Sequence, residues 1–330
     1  MKRVSVITPC FRSEAYLDGY FAAVLQQTAL DELEVVLIMN EPSAEELAAV
    51  DRFDRARPGT VVYRIFPEGW STKDASRRGP RSQALVSQSM NRAVAASHGI
   101  YIAHWDVDDV RTPGSIEAQM RTLDENPDAL MTYGDMKIVR RYGDTEGELY
   151  VAPEFDRDLF MRACCGGTFR MWRKDALELV GPFDEQFRSG GDYDLYVRIA
   201  ANGRMVKTPD VLLGYYLNAG SGLSTAGDGL QPTERTVVEL RYGMLGKIDR
   251  RYLPGASRYR VGELRSDDRW IPVDDFVPDM EGLLARAAAD PALLPRTSVK
   301  ERLGEAMERN VCRVRKLLGL ARSGTNGRRW

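Results

Sequence analysis

Short apolar runs alternate with amphipathic stretches along the first 133 residues of the chain. The runs are rich in β-branched residues, which is typical of strands buried on both faces of a parallel sheet. Between them, apolar residues recur at spacings of three and four, as in helices that cover such a sheet. The predicted strands span residues 4–7, 34–39, 61–66, 100–105 and 129–133.

Two local signals mark helix starts between these strands. Ser43 stands three residues before Glu46, which is the spacing of a capping box, and this predicts a helix over 43–57. Thr112 followed by Pro113 predicts another start, because proline at the first helical position gives up an N–H that has no partner there. The strand and helix order predicts a doubly wound, mostly parallel sheet with right-handed crossovers.

The pattern changes after residue 133. A hairpin is predicted over 138–151, with its turn at Gly143-Asp144, followed by helices over 174–180 and 193–201 and a strand over 211–217. From residue 225 onward the pattern is helical, notably over 234–248, 276–289 and 300–320. We therefore expect an α/β domain over 1–224 and a helical C-terminal extension of unassigned role over 225–330.

Ligands of doubly wound sheets lie beyond the carboxyl ends of the strands. Three loops follow predicted strands at that edge and should meet in one crevice. They are residues 8–13, 40–43 and 106–109.

The amino-acid composition limits which ligands and metal sites are expected of this chain. A net charge of −2 over 330 residues gives no basic field for nucleic acid, so no nucleic-acid partner is expected. The four cysteines lack the spacing of a zinc or redox motif, and with only two histidines any metal should be bound by oxygen. No apolar run is long enough for a signal peptide or a membrane span, so we expect a cytoplasmic protein.

Asp106 and Asp108 are the candidate metal ligands, because they follow a buried strand directly. Carboxylates are the ligands that Mg²⁺ and Mn²⁺ prefer, and such ions often complete their shell with substrate phosphates. The alternative is an ordinary turn, in which aspartates bond to nearby backbone amides.

Asp192 is the candidate catalytic base, and it follows Gly190-Gly191. A carboxylate in this position could take the proton from an attacking hydroxyl, as a general base does. The alternative is that Asp192 caps the helix that follows it.

The order of these pieces resembles glycosyltransferase family 2, over roughly the first two thirds of the chain. The resemblance implies a GT-A fold, inversion at the transferred sugar and a divalent metal, Mn²⁺ or Mg²⁺. It rests on Val4-Ser5-Val6-Ile7-Thr8-Pro9-Cys10-Phe11, Gln26-Gln27-Thr28, Asn40-Glu41-Pro42-Ser43, Asn91-Arg92-Ala93, Asp106-Val107-Asp108-Asp109, Val180-Gly181-Pro182-Phe183-Asp184, Gly191-Asp192-Tyr193-Asp194-Leu195, Arg198 and Tyr215-Tyr216.

The resemblance also implies a role for each matching residue. Asp106 and Asp108 would hold the metal, with Asp106 also at the diphosphate, and Asp192 would be the general base. The remaining implied contacts are Thr8, Pro9 and Phe11 at the nucleoside, Asn40 and Glu41 at the base or ribose, Arg81 at the nucleotide, and Gly166 and Gly167 near the donor sugar or acceptor.

Three positions depart from the family pattern. Asn40-Glu41 stands where the family often has two aspartates, Gly191 replaces the acid that commonly precedes the base, and Asn218 stands near a frequent histidine. The implied function is transfer from a nucleoside-diphosphate sugar, with UDP-sugar favoured, to a glycan, lipid-linked or protein-linked hydroxyl. A nucleotidyltransferase and a sugar-nucleotide or glycan-binding protein that has lost catalysis are the alternatives.

For two further features, a structural role is favoured over a role in binding. Trp70, Trp105 and Trp172 could stack on sugar rings, but core or loop packing is expected of each. Residues 296–329 are rich in arginine, which usually makes a solvated helix face. The same charges could bring the chain to the inner face of an anionic membrane or to a lipid-linked acceptor.

Overall fold

The computed structural model describes residues 2–66, 85–162, 165–219, 229–242, 244, 248–256 and 259. Its strands are β1 (Val4–Cys10), β2 (Leu33–Asn40), β3 (Val61–Phe66), β4 (Tyr101–His104), β5 (Val110–Arg111), β6 (Ala129–Val139), β7 (Glu148–Tyr150), β8 (Met171–Arg173) and β9 (Arg204–Leu217). Its α-helices are α1 (Glu14–Leu25), α2 (Ala44–Ala56), α3 (Leu85–Ala96), α4 (Ser115–Glu125), α5 (Arg157–Arg162), α6 (Ala176–Val180), α7 (Gly191–Asn202), α8 (Leu230–Arg241) and α9 (Leu253–Ala256).

All of these strands belong to one sheet, in the order β3-β2-β1-β4-β8-β6-β9-β5, with β7 beside β6. The first four are parallel to one another, and β6 runs parallel to β9. The short strands β5, β7 and β8 are antiparallel to their neighbours. The prediction of a doubly wound, mostly parallel sheet is confirmed.

Two hydrophobic clusters cover the two faces of the sheet. Side chains alternate along a strand, so neighbouring residues of one strand belong to different clusters. Val6 and Val35 pack in the cluster that includes residues of α1, α2 and α4. Ile7 and Val36, one position along, pack in the cluster that includes residues of α3, α7 and α8. The strand ends between these layers are therefore held from both sides.

Helix α8 belongs to the second cluster, although it lies in the predicted C-terminal extension. Val237, Val238 and Leu240 are buried there beside Tyr196 and Ile199 of α7. The domain boundary at residue 224 stays a prediction, and the helices predicted over 276–289 and 300–320 lie outside the described residues.

Two predicted boundaries were wrong. β1 continues through Pro9 to Cys10, whereas its pairing with β4 ends at Ile7, so the missing N–H of Pro9 leaves no ladder bond unmade. α4 begins at Ser115, because the backbone N–H of Thr112 still donates to Leu213 of β9. Thr112 therefore belongs to the sheet edge.

The predicted hairpin is confirmed as β6 and β7, with Met136 opposite Tyr150. Within the described residues, none of the helices has the length and apolar character needed to cross a bilayer.

Candidate active site

Hydrogen bonds join the three loops that follow β1, β2 and β4. Thr8 Oγ1 donates to the carbonyl of Trp105 at 2.7 Å. The side-chain amide of Asn40 donates to the carbonyl of Cys10 at 3.2 Å. The loops therefore meet at one edge of the sheet, as predicted.

Glu46 makes a further link between two of these loops. Its Oε2 accepts from the backbone N–H of Ser43 at 2.8 Å, while Ser43 Oγ accepts from the N–H of Glu46, so the predicted capping box is confirmed. The other oxygen, Oε1, accepts from the backbone N–H of Ser13 at 2.7 Å. One buried carboxylate thus starts α2 and also holds the loop before α1.

Asp106 and Asp108 lie directly after β4 at this edge. Asp106 Oδ1 is 3.0 Å from His104 Nε2, and 36% of the Asp106 side chain is exposed. Burial acts to raise the pKa of Asp106, but His104 and Arg170 outweigh it and lower that pKa. Burial and the Asp106 charge together raise the pKa of Asp108 to about 6. Two carboxylates that repel each other in this way would be stabilised by a cation.

Asp109 ties this acidic loop to the sheet. Its Oδ1 accepts from the backbone N–H of Leu217 at 2.8 Å. Its Oδ2 is buried and has no hydrogen-bond partner among the described residues. Burial, and then the charges of Asp106 and Asp108, raise the pKa of Asp109. Asp109 therefore combines a structural bond with added negative potential at the loop.

The donor set fits a divalent cation in part. Asp106 and Asp108 offer carboxylate oxygens, which suit Mg²⁺ and Mn²⁺. Across the described ranges, no group of three or more acidic, histidine or cysteine side chains could hold a metal ion. Oxygens from a substrate and from water would have to complete the coordination, as is common for Mg²⁺.

Asp192 lies in the first turn of α7 and does not cap it. The helix begins at Gly191 with Gly190 at the capping position and no side-chain capping bond, so the alternative role as a helix cap is wrong. Asp192 Oδ1 accepts from the backbone N–H of Tyr193 at 2.7 Å. The side chain is 40% exposed, which leaves it accessible to a substrate.

Arg170 connects Asp192 to the acidic loop. Its Nη1 donates to Asp192 Oδ2 at 3.1 Å, and only 6% of its side chain is exposed. Its guanidinium stacks over the ring of Tyr196, 4.8 Å from the centroid. The same guanidinium is close enough to Asp106 to lower the pKa of that carboxyl. Sequence reasoning missed Arg170, whose one signal is its position between the Gly166-Gly167 loop and β8.

Gly166 and Gly167 let that loop pass close to α7. A Cβ at Gly166 would lie 2.7 Å from the ring of Tyr196. Gly167 has a φ of +69°, a conformation that favours glycine. The loop therefore runs beside the tyrosine on which Arg170 stacks. Contact of the two glycines with donor sugar or acceptor stays a prediction.

The residues predicted to contact the nucleotide fall into a buried group and a partly exposed group. Thr8 and Asn40 are 0% and 1% exposed, and their side chains are bonded within the protein, so they hold the loops together. Pro9, Phe11 and Glu41 are partly exposed. Contact of these three residues with a nucleotide stays a prediction.

The other predicted residues fall outside the crevice or outside the described residues. Trp105 and Trp172 are 0% and 2% exposed, which confirms core packing for both. Arg81 and Trp70 lie outside the described residues.

Among the departures from the family pattern, Gly191 has a local explanation. A Cβ at Gly191 would lie 2.3 Å from Ser87 Oγ, which donates to the carbonyl of Phe187 at 2.9 Å. An acidic residue at position 191 would displace Ser87. Asn218 follows β9, and its backbone N–H donates to the carbonyl of Val139, which extends the ladder between β6 and β9.

Tyr142, in the loop between β6 and β7, is a second residue that sequence reasoning missed. Its hydroxyl donates to the carbonyl of Tyr16 at 3.3 Å, which fastens the hairpin tip to α1. Burial, with the charges of Asp108 and Asp109, raises the pKa of Tyr142 to about 12. The hairpin tip therefore reaches the acidic loop.

The fold and the strand-end carboxylates define a GT-A-like α/β protein. The chain belongs to the family described as glycosyltransferase like family 2, whose model matches residues 6–227. Among curated relatives, the hyaluronan synthase of Pasteurella multocida is 23% identical over 235 residues, covering 71% of this chain and 22% of that protein. The chondroitin synthase of Pasteurella multocida strain Pm70 is 23% identical over 201 residues, covering 61% and 19%. The chain thus spans about a fifth of the length of these synthases.

Solved structures share the fold. Residues 1–349 of Staphylococcus aureus TarS, in complex with UDP-GlcNAc, superpose with a TM-score of 0.54 at 18% identity, covering 72% of this chain and 64% of TarS 1–349. The mannosyltransferase PcManGT from Pyrobaculum calidifontis, in complex with GDP-Man and Mn²⁺, has a TM-score of 0.50 at 16% identity, covering 94% and 80%.

Proposed function

We propose that the chain transfers a sugar from a nucleoside-diphosphate sugar to an acceptor hydroxyl, with inversion. The observation that carries this proposal is the position of Arg170, which pairs with Asp192 and also lies near Asp106. This brings a partly exposed carboxylate to the same crevice as the strand-end acids. Inverting transfer needs both parts, a site for the leaving diphosphate and a base for the acceptor.

Asp106 and Asp108 would hold Mn²⁺ or Mg²⁺ at the donor diphosphate. When bound, the cation would neutralise charge that develops on the leaving group. The fit of two oxygen donors supports this proposal, and so does the Mn²⁺ in the PcManGT complex. The raised pKa of Asp108 adds support, because a cation there would relieve its repulsion with Asp106.

Asp192 would accept the proton of the attacking hydroxyl. Arg170 holds one of its carboxylate oxygens and the N–H of Tyr193 holds the other, so the carboxylate has a defined orientation. Burial of Arg170 against Tyr196 restricts its side chain, which in turn restricts Asp192. A preoriented base needs little reorganisation when the acceptor arrives.

The donor is proposed to be a UDP-sugar. UDP-GlcNAc in the TarS complex supports uridine, whereas GDP-Man in the PcManGT complex shows that this fold also accommodates guanosine. Pro9, Phe11 and Glu41 are the described residues proposed to contact the nucleoside. The names of the two synthases support a glycan acceptor, and a lipid-linked or protein-linked hydroxyl is the other class to test.

The proposed location is the cytoplasm, with the arginine-rich region after residue 296 in contact with the inner face of a membrane. The charge of that region supports this, since basic segments bind anionic lipid surfaces. Its residues lie outside the described part of the chain. Vesicle sedimentation of the full chain and of a chain ending at residue 295 would test it.

The test of the function is a panel of nucleotide sugars and acceptor glycans with Mn²⁺, with and without chelator, in which both released nucleotide species are measured. We expect release of nucleoside diphosphate from one donor, loss of that release with chelator, and loss of transfer in Asp192→Asn. Release of pyrophosphate would instead indicate a nucleotidyltransferase. Tight donor binding without turnover across the panel would indicate a binding protein, the alternative motivated by Gly191 and Asn218.

A further inference from the structure

Helix α8 follows the residues matched by the family model and contacts the segment that leads to Asp192. That segment, residues 184–191, is here called the base loop. Glu234 of α8 accepts from three consecutive backbone N–H groups of the base loop, those of Arg188, Ser189 and Gly190, at 2.9, 2.7 and 2.7 Å. The last of these donors, Gly190, is the N-cap of α7, where backbone N–H groups have no partner within the helix.

A second anchor lies two turns further along α8, on the same helix face. Arg241 pairs with Asp184 at 2.9 Å, at the start of the base loop, and with Asp194 at 2.5 Å, just after it. All three side chains are at most 3% exposed. Residues seven apart share a helix face, so Glu234 and Arg241 hold the loop at its end and at its beginning.

The base loop also has little room to move. A Cβ at Gly190 would lie 3.0 Å from Cβ of Glu234, so α8 packs directly against the loop. On another side, Ser87 of α3 donates to the carbonyl of Phe187. Tyr259 stacks on Phe187 with ring centroids 5.9 Å apart and donates its hydroxyl to Glu234 at 2.9 Å. The loop is thus held by α8, by α3 and by Tyr259.

We propose that α8 is a positioning element for the catalytic base, with Glu234 as its main positioning residue. This inference rests on the proposed function of Asp192. Asp192 lies two residues after Gly190, in the first turn of α7, so its carboxylate moves with the place where that helix begins. The Glu234 carboxylate fixes that place by accepting from the three backbone N–H groups that precede α7 and by offsetting the positive end of the helix dipole. Displacing a catalytic group by about 1 Å can cost about a hundredfold in rate.

The contact itself is tested by hydrogen exchange of the full chain. Glu234→Gln keeps the size of the side chain but turns one acceptor oxygen into a donor. We expect the amides of residues 188–190 to exchange about tenfold faster, since hydrogen bonds to a charged carboxylate are stronger than those to a neutral amide. Glu239→Gln is the matched control, because Glu239 lies on the same helix and pairs with Arg235 inside it at 2.9 Å.

The consequence for catalysis is tested by kinetics. We expect Glu234→Gln to lower kcat about tenfold to a hundredfold, with donor Kd within twofold and Tm close to that of Glu239→Gln. In an Asp192→Asn background, Glu234→Gln should cause no further loss of the residual rate, because effects that act through one residue are not additive.

The outcomes separate this inference from the proposed function. If Asp192→Asn keeps full transfer, the assignment of the base fails and this inference fails with it. If Asp192→Asn is inactive and Glu234→Gln keeps the wild-type kcat, only the role of α8 is overturned. An equal further loss on the Asp192→Asn background would also overturn it, because the effect would then not pass through Asp192.

Discussion

This protein has two sets of buried acidic residues, which differ in whether nearby arginines neutralise their charge. Asp184 and Asp194 lie between Arg198 and Arg241, which pair with them at 2.5–2.9 Å, and all four side chains are at most 3% exposed. Asp106, Asp108 and Asp109 follow one another at the end of β4, and burial with mutual repulsion raises the pKa of the last two. The first set is balanced in charge and the second is not.

The difference separates a structural network from a binding site. Arg198 also donates to the carbonyls of Val180, Gly181 and Pro182, so the balanced set fastens the segment before the base loop to α7. Such a network is complete without a ligand. The strand-end set costs free energy when it is empty, which is characteristic of sites that bind a cation.

The largest expected effect concerns the balanced set. Asp194→Asn removes a carboxylate that neutralises the buried guanidinium groups of Arg198 and Arg241. Because a buried charge would then lack its partner, the free energy of unfolding should fall by about 3–5 kcal/mol. Urea denaturation would measure it. Asp51→Asn is the control, because Asp51 is an exposed partner of Arg55 on α2 and should change stability by less than about 0.5 kcal/mol. Equal stability of both variants would refute the structural role of the network.

For the strand-end set, Asp106, Asp108 and Asp109, we expect a bound metal ion to raise the stability of the folded protein. Mn²⁺ at a hundredfold excess over its Kd should stabilise the wild type by about 2.7 kcal/mol, and Asp108→Asn should lose this gain. Without metal, Asp108→Asn should be at least as stable as the wild type, since it removes a repelled carboxylate. Thermal unfolding with and without Mn²⁺ measures both. Asp128→Asn is the control, because Asp128 forms a surface pair with Arg204, and this variant should gain as much stability from Mn²⁺ as the wild type does. If Mn²⁺ stabilised Asp108→Asn as much as the wild type, the proposed metal site would be contradicted.

Arg170 joins the two sides of the crevice, and its loss should have a smaller effect. Arg170→Gln removes a charged hydrogen bond of about 1.5–3 kcal/mol, so kcat should fall about tenfold to a hundredfold. Steady-state kinetics with the donor found by the panel would measure it, with Arg204→Gln as the surface control. A kcat equal to that of the control would remove Arg170 from the mechanism.

Glu234 gives the smallest and most specific test, because three backbone N–H groups and the Tyr259 hydroxyl donate to its carboxylate. Burial raises its pKa, and the three backbone N–H donors offset this only in part. The folded state therefore keeps the proton at pH values where the unfolded chain has released it. Stability contributed by Glu234 is fully present below the ordinary carboxyl range and falls as pH rises through the raised folded pKa.

The advantage of the wild type over Glu234→Gln should therefore shrink as the pH rises from the ordinary carboxyl range through the raised folded pKa of Glu234. The change is about 1.4 kcal/mol for each pH unit over which the two states differ in protonation. Urea denaturation of both proteins across this range measures it. A gap that widens with pH would contradict the raised pKa.

Local patterns were enough to predict much of the fold. The alternation of apolar runs with three- and four-residue spacing predicted β1 to β4 and their helices, and Ser43 with Glu46 predicted the start of α2. The positions of Asp106 and Asp108 after a buried strand predicted the edge at which they lie. These features depend on neighbours within a few residues, so the sequence alone contains them.

Other features were beyond such reasoning because their partners are distant in sequence. Arg170 meets Asp192 from 22 residues away, and Glu234 meets Gly190 from 44. Asn40 was predicted at the nucleotide, but the packing of β2 against the neighbouring loops buries it.

The sequence by itself therefore determined the order of strands and helices and the residue types available at the carboxyl edge of the sheet. Only the tertiary structure decided which carboxylates are neutralised and which keep their charge, since that depends on where each arginine lies after the sheet has assembled.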